Sequence, residues 1–279
     1  MRSLALLPLL FLAALASSSP AAEPAGPAGQ PASSTPKLRE LQVLVVAGLD
    51  YRAYFNDWKQ RTAEVVSGAS RRFEREFAIR LTVAEHRAWN YTAGRSPKGP
   101  DQSLEQLHQI DPGKCDLVIA FTLVIYGGPE PGAEIRGFTQ PFGRYVVVPD
   151  QWTISGAQTR LLHELCHVFG AFHDNEPRSV MRPVFAGTPR DFDFSRSTRE
   201  ILAATHDLRL ADGVSAVSDA TARMIQAQYQ AHRHPREARD RDPITLGYQW
   251  AADWAEKSGD KARAQELRTK GAQFAVTSP

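Results

Sequence analysis

The sequence contains only two cysteines among 279 residues, and its charges nearly balance, with a formal net charge of +2. So few cysteines exclude a small scaffold stapled by several disulfides. The charge balance gives no reason to expect nucleic acid or an anionic membrane as a partner. Outside the N-terminus, no run is long and apolar enough to span a bilayer. With 42% hydrophobic and 23% charged residues, the composition is that of an ordinary globular protein.

The two cysteines, Cys115 and Cys166, leave two interpretations open. In an exported protein, a single pair suggests one disulfide. Cys166, however, lies inside a helical motif, where a small buried apolar side chain is the alternative. The sequence does not decide between them.

The N-terminus carries a targeting pattern. Arg2 precedes an apolar run from Ser3 to Ala16, and Ala14-Leu15-Ala16 offers a small-x-small cleavage site. We therefore predict a signal peptide over residues 1–16, a secreted or periplasmic protein and no stable membrane insertion after cleavage, with an uncleaved anchor as the alternative. No cysteine lies directly after this run, so we expect no lipid anchor there. Residues 17–37 are rich in Ala, Pro, Ser and Gly, which predicts a disordered linker.

Strand and helix patterns alternate through residues 38–212, which we predict to be one domain. Apolar or alternating runs predict strands at Leu41–Leu49, Ile79–Trp89, Cys115–Ile125, Ile135–Gln140 and Arg144–Val148. Apolar residues at spacings of three and four predict helices at Trp58–Phe77 and, with Ser103 as its N-cap, at Ser103–Ile110. This alternation predicts an α/β fold with a largely parallel sheet.

The most informative stretch runs from His163 to His173 and reads H-E-x-x-H-x-x-G-x-x-H. In a helix over Gln158–Phe169, capped by Ser155, residues four apart share a face, so His163 and His167 point the same way. Gly170 can end this helix in the left-handed conformation and turn His173 back toward them. Three imidazoles are a donor set for Zn²⁺ that leaves one position open, and Glu164 lies beside them without being a ligand.

Met181 lies eight residues beyond His173. With the eleven-residue motif, it makes the chain similar to the metzincin zinc metalloproteases, which carry a Met-turn after the zinc helix. The short distance from the third His to Met resembles the matrixin branch and the archaemetzincins. Archaemetzincins also have cysteines around and after the Met-turn. No cysteine follows Cys166 here, so we expect no second, cysteine-bound zinc.

This resemblance implies a fold of the mixed α/β (α+β) class. Its expected parts are a twisted, mostly parallel five-stranded sheet with one antiparallel edge strand, and a zinc helix beneath it. By position, the edge strand that would bind an extended substrate contains Ile135, Arg136, Gly137, Phe138 and Thr139.

The resemblance also implies roles for single residues. Glu164 would be the general base that takes a proton from a zinc-activated water. Met181 would form an apolar floor under the metal, and Gly170 would make the turn. Asp174 is a candidate acceptor for an imidazole N–H or a local backbone group, with a solvated carboxylate as the alternative.

The expected function is that of an exported zinc endopeptidase with one Zn²⁺ per chain and a peptide or protein substrate. Ca²⁺, common in matrixins, stays undecided because no loop dense in Asp, Asn and Gly stands out. The alternative is a zinc-stabilised protein, without catalysis, that binds a partner.

The C-terminal part has a different character. Arg196–Leu210 is predicted to be another helix, and the resemblance implies that it completes the lower part of the catalytic domain. Ala220–His232 and Pro243–Ala275 are Ala-rich and helical in period, so we predict a helical appendage over residues 213–279, which can bind a protein partner. A weak similarity to one tetratricopeptide helix pair does not predict a solenoid, which needs about three repeats. No partner ligand accompanies His232 and His234, and we expect no metal there.

Overall fold

The computed structural model describes residues 36–91, 101–123, 137–150, 153–183, 192–234 and 242–275. The predicted signal peptide and residues 17–35 of the predicted linker lie outside the described residues, as do Ile135 and Arg136.

A five-stranded sheet forms the centre of the fold. Its strands are β1 (Arg39–Ala47), β2 (Ile79–Ala88), β3 (Leu117–Leu123), β4 (Phe138–Thr139) and β5 (Tyr145–Asp150), in the order β2-β1-β3-β5-β4. All neighbours pair in parallel except β4, which is antiparallel to β5. The prediction of a mostly parallel sheet with one antiparallel edge strand is therefore confirmed.

The central strands are buried on both faces, as expected of parallel strands covered by helices. Alternate residues of β1, such as Val43 and Val45, belong to the larger hydrophobic core on one face. Their neighbours Leu44 and Val46 belong to a smaller core on the other face. The larger core also contains residues of the predicted zinc helix. This helix therefore packs on the same face of the sheet as Val43 and Val45.

The helices of the first half are α1 (Leu49–Tyr54), α2 (Trp58–Phe77), α3 (Asp101–Leu107) and α4 (Ile154–Val168). The bounds predicted for α2 are confirmed. Helix α1 was not predicted, because six residues are too few to show a helical period. The assignment of Ser103 as an N-cap is wrong: α3 begins at Asp101, and Ser103 is a buried residue within it.

The second half contains α5 (Arg196–Thr205), a 3₁₀ helix (Leu210–Ala216), α6 (Asp219–His232), α7 (Pro243–Lys257) and α8 (Lys261–Gln273). Helix α5 is five residues shorter than predicted. Residues on both sides of position 212 share the larger core, and Pro36–Pro279 forms one compact unit. None of the described helices is long and apolar enough to cross a membrane.

The two cysteines are both free and buried. Cys115 belongs to the smaller core and Cys166 to the larger one, on opposite faces of the sheet. The disulfide interpretation is therefore wrong, and both thiols are small apolar core groups.

His108, just after α3, packs against two aromatic rings that are tilted relative to its own. Its ring centroid lies 4.3 Å from that of Tyr145 and 4.5 Å from that of Trp254. Burial, and then the positive charge of Lys257, lower the pKa of His108 to about 4. Between pH 6.5 and 4 the unfolded chain therefore binds more protons at this position than the folded one, and stability falls as the pH falls.

We expect His108 to remove at most about 3 kcal/mol of unfolding free energy between pH 6.5 and pH 4. His108→Phe keeps an aromatic ring between its neighbours but cannot titrate, so its stability should fall less over this range. Urea unfolding of both proteins at pH 7, 5.5 and 4 measures the difference. Equal pH slopes for the two proteins would contradict this assignment.

Candidate metal centre

The zinc helix α4 begins four residues earlier than predicted. Thr153 has an extended backbone, and its hydroxyl accepts the N–H of Gly156 at 3.2 Å, which makes Thr153 the N-cap. The prediction of Ser155 as the cap is wrong, because Ser155 lies in the first turn of the helix. Leu161 and Leu165 anchor the helix in the larger core and so fix the direction of the histidines.

Gly170 makes the turn after the helix, with φ at +86°. This left-handed conformation is costly for residues that carry a Cβ. A Cβ at this position would also lie 2.3 Å from Cε1 of the buried Phe142. The turn thus needs glycine for two reasons, and beyond it the chain brings His173 back to α4.

The three predicted ligands converge. Nε2 of His163 lies 3.1 Å from Nε2 of both His167 and His173, and the third side of this triangle measures 3.3 Å. In a tetrahedral site with Zn–N bonds of about 2.0–2.1 Å, neighbouring ligand atoms are about 3.3–3.4 Å apart. The donor set therefore fits Zn²⁺ in both atom type and spacing.

Hydrogen bonds to main-chain carbonyls determine which ring nitrogens face the metal position. Nδ1 of His163 lies 2.8 Å from Val180 O, and Nδ1 of His167 lies 2.8 Å from Ala171 O. A carbonyl only accepts, so each Nδ1 carries the proton and each Nε2 presents its lone pair. Burial and the neighbouring imidazoles lower the pKa of His163 well below its usual value and that of His167 to about 3. Both rings are thus neutral, which is the form that binds metal.

Glu164, the residue after His163 on α4, is almost fully buried, with 3% of its surface exposed. The hydroxyl of Thr139 donates to its Oε2 at 2.7 Å. Burial raises the pKa of Glu164 to about 7, although the bond from Thr139 acts in the opposite direction. A Cβ added to Gly137 would lie 2.2 Å from Oε1, so the main chain before β4 lies directly against the carboxylate.

Sequence analysis placed Gly137 and Thr139 in a substrate-binding strand and missed their contact with Glu164. The two positions are 27 and 25 residues before Glu164, and no spacing pattern signals such a contact. Of the described residues of the predicted strand, Phe138–Thr139 form a strand, and Gly137 precedes it. Among the described residues, no strand pairs with the outer edge of β4.

Asp174 and Met181 belong to a buried hydrogen-bonded turn. The carboxylate of Asp174 accepts the N–H of Glu176 at 3.2 Å and the hydroxyl of Ser179 at 2.9 Å. Ser179 Oγ in turn accepts the N–H of Met181 at 2.9 Å. Asp174 is only 1% exposed, so its partners are local groups and not solvent. Met181 is fully buried in the larger core.

The three histidines are the only group of three or more candidate ligands in the part of the chain that the structure describes. His163 is buried, whereas His167 and His173 are partly exposed, so one side of the triangle faces outward. A buried carboxylate next to such a triangle can take and release a proton beside a bound metal. Fold and site together are those of a metzincin-like zinc metalloprotease.

Comparison with known proteins leads to the same class. The reprolysin model of metallo-peptidase family M12 matches residues 37–191, more than half of the chain. The chain therefore belongs to metallo-peptidase family M12. The predicted metzincin class is confirmed, while the matrixin-like branch is not shown by this match and stays a prediction.

A search of the curated proteins gives no match. Among solved structures, the chain is similar to archaemetzincin from Methanopyrus kandleri, with a TM-score of 0.46 and 18% identity over 62% of this chain and 99% of that chain.

Proposed function

We propose that this metalloprotease is an exported zinc endopeptidase in which Glu164 is the general base. The observations that carry the proposal are the Nε2 triangle of the three histidines and the buried carboxylate of Glu164, which follows His163 on α4. A hydrolytic metal site needs a neutral donor set and an adjacent proton acceptor that is not itself a ligand. This arrangement supplies both.

His163, His167 and His173 would hold one Zn²⁺ per chain. When bound, zinc supplies Lewis acidity and brings the pKa of water down toward ~7. Glu164 takes the proton of the attacking water on its carboxylate and then delivers it to the amine that leaves. Thr139 holds this carboxylate in one orientation through its hydroxyl.

An extended peptide chain is the substrate that the surroundings of Glu164 favour. The outer edge of β4 has no partner strand among the described residues, so its N–H and C=O groups can pair with a peptide main chain. Because Gly137 and Thr139 adjoin Glu164, a peptide paired with β4 would lie close to the base. Recognition through the main chain does not require a chain end, which favours an endopeptidase.

Export is proposed on the N-terminal pattern alone. The apolar run from Ser3 to Ala16, with its cleavage site, supports secretion or a periplasmic location. N-terminal sequencing of the protein recovered from outside the cytoplasm should begin shortly after Ala16. Recovery of a cytoplasmic protein that starts at Met1 would contradict the proposal.

Removing the metal should abolish activity reversibly. We expect one zinc per purified chain, loss of cleavage of an unfolded protein substrate after treatment with a chelator, and recovery on adding one equivalent of Zn²⁺. Metal analysis and a gel-based cleavage assay measure these quantities. One bound zinc without cleavage of peptides or unfolded proteins would instead favour the zinc-stabilised binding protein. Cleavage that persists in the metal-free protein would contradict a zinc mechanism.

A further inference from the structure

The third ligand differs from the other two because it does not lie on α4. His173 follows the Gly170 turn, so the position of its ring depends on whatever holds residues 172–174. On one side, the N–H of Asp174 donates to Met181 O at 3.2 Å. Met181 belongs to the same turn as Val180, whose carbonyl oxygen is hydrogen-bonded to Nδ1 of His163.

On the other side, the end of α6 holds the same three residues. The N–H of His234 donates to His173 O at 2.8 Å. Asp174 and Arg233 form an antiparallel β-bridge. The ring of Phe172 meets that of the buried Tyr229 edge-on, with 5.3 Å between centroids. Three consecutive residues around the ligand are thus fixed by one short segment.

The geometry of this segment is itself well defined. The N–H of Arg233 donates to Tyr229 O at 3.0 Å, which ends α6. Arg233 then adopts an extended backbone (φ −55°, ψ 148°), which directs His234 along the ligand loop. The match to the M12 family model ends at residue 191, so this segment lies beyond the part of the chain that defines the family.

We propose that residues Tyr229–His234 position His173 and thereby raise the zinc affinity of the site. The inference rests on the proposed role of His173 as a ligand. A ligand held at the correct distance before the metal arrives loses less freedom on binding, and groups that orient ligands typically contribute about 10–100-fold in metal affinity. Of the C-terminal helices, α6 then serves the metal centre, because it carries this segment.

A pair of substitutions at one position isolates the main-chain contact. His234→Pro removes the N–H that donates to His173 O, and the extended conformation of Arg233 is compatible with a following proline. His234→Ala removes the side chain but keeps the N–H. In the full-length mature chain, we expect His234→Pro to bind zinc roughly 10–100-fold more weakly than His234→Ala in competition with a chelator at fixed pH.

A spectroscopic readout accompanies the affinity. After substitution of zinc by Co²⁺, the absorption spectrum of His234→Pro should differ from that of His234→Ala, because the position of one ligand has changed. Equal zinc affinities and equal cobalt spectra for the two variants would overturn the proposal. Circular dichroism of the metal-free proteins shows whether both variants fold.

If His234→Pro does not fold, a second pair tests the same contact. Tyr229→Phe keeps the ring that meets Phe172, whereas Tyr229→Leu removes it. Weaker zinc binding by Tyr229→Leu than by Tyr229→Phe supports the proposal, and equal binding overturns it.

His173→Ala separates this inference from the proposed function. If His173→Ala binds zinc as the wild type does, the ligand assignment fails; if it loses zinc while both pairs bind equally, only the positioning role fails.

Discussion

Glu164→Gln should lower kcat for peptide hydrolysis by roughly 10²–10⁴-fold, the usual contribution of a general base, while one zinc stays bound. Glutamine has nearly the same shape and can still accept the hydroxyl of Thr139, which lies 2.7 Å from the carboxylate. It cannot take a proton from water. The substitution therefore removes proton transfer and leaves the three histidines in place.

The measurement combines kcat on a fluorogenic peptide with metal analysis of the same sample. Glu266→Gln on α8 is the matched control, because this exposed carboxylate pairs with Arg263 on the same helix and is not one of the candidate ligands. We expect the control to retain wild-type kcat. Retained hydrolysis in Glu164→Gln would rule out Glu164 as the base, whereas loss of zinc would mean that it supports the ligands instead.

Asp150→Ala should lower the free energy of unfolding by about 3–5 kcal/mol, as expected when one partner of a buried ion pair is removed. Asp150, at the end of β5, has a side chain with no exposed surface. It accepts two hydrogen bonds from Arg61 on α2, at 2.7 and 3.0 Å, and one from the hydroxyl of Tyr51 on α1, at 2.8 Å. Alanine would leave a largely buried guanidinium and a phenol without their acceptor.

Urea unfolding at pH 7 measures the change. Tyr51→Phe is the control within the network, since it deletes one hydrogen bond and keeps the ring, and we expect a loss of only about 1 kcal/mol. The double variant Arg61→Met with Asp150→Ala should be less destabilised than the sum of the single variants, because it removes both charges together. Additive losses would show that the pair does not act as a unit.

Local patterns predicted the secondary structure wherever an element is long. The bounds of α2 follow from apolar residues repeated every three or four positions over 20 residues. Strands β1 and β3 were recognised because both their faces are apolar, as central parallel strands require. Short elements gave no such signal. Helix α1 has six residues. The N-caps predicted for α3 and α4, Ser103 and Ser155, lie inside these helices instead, because more than one polar residue stands near the start of each helix.

The sequence likewise predicts one part of the candidate site and not the other. The three histidines, Glu164 and Gly170 lie within eleven residues, so helical geometry and one glycine turn account for their convergence. The groups that hold them come from elsewhere in the chain. Thr139 precedes Glu164 by 25 residues, and His234 follows His173 by 61. Such pairings depend on how the sheet and helices pack, and no local period encodes them.

By itself, the sequence determined the candidate donor set for zinc and the carboxylate that follows its first histidine, because these residues lie within eleven positions of each other. It also determined the mostly parallel sheet, because strand and helix patterns alternate along the chain. Only the tertiary structure decided what surrounds the candidate site. It placed Gly137 and Thr139 against Glu164, separated the two cysteines on opposite faces of the sheet, and brought the end of α6 to His173. The physical reason is that packing joins residues far apart in the chain through burial and hydrogen bonding, and these contacts exist only once the elements have assembled.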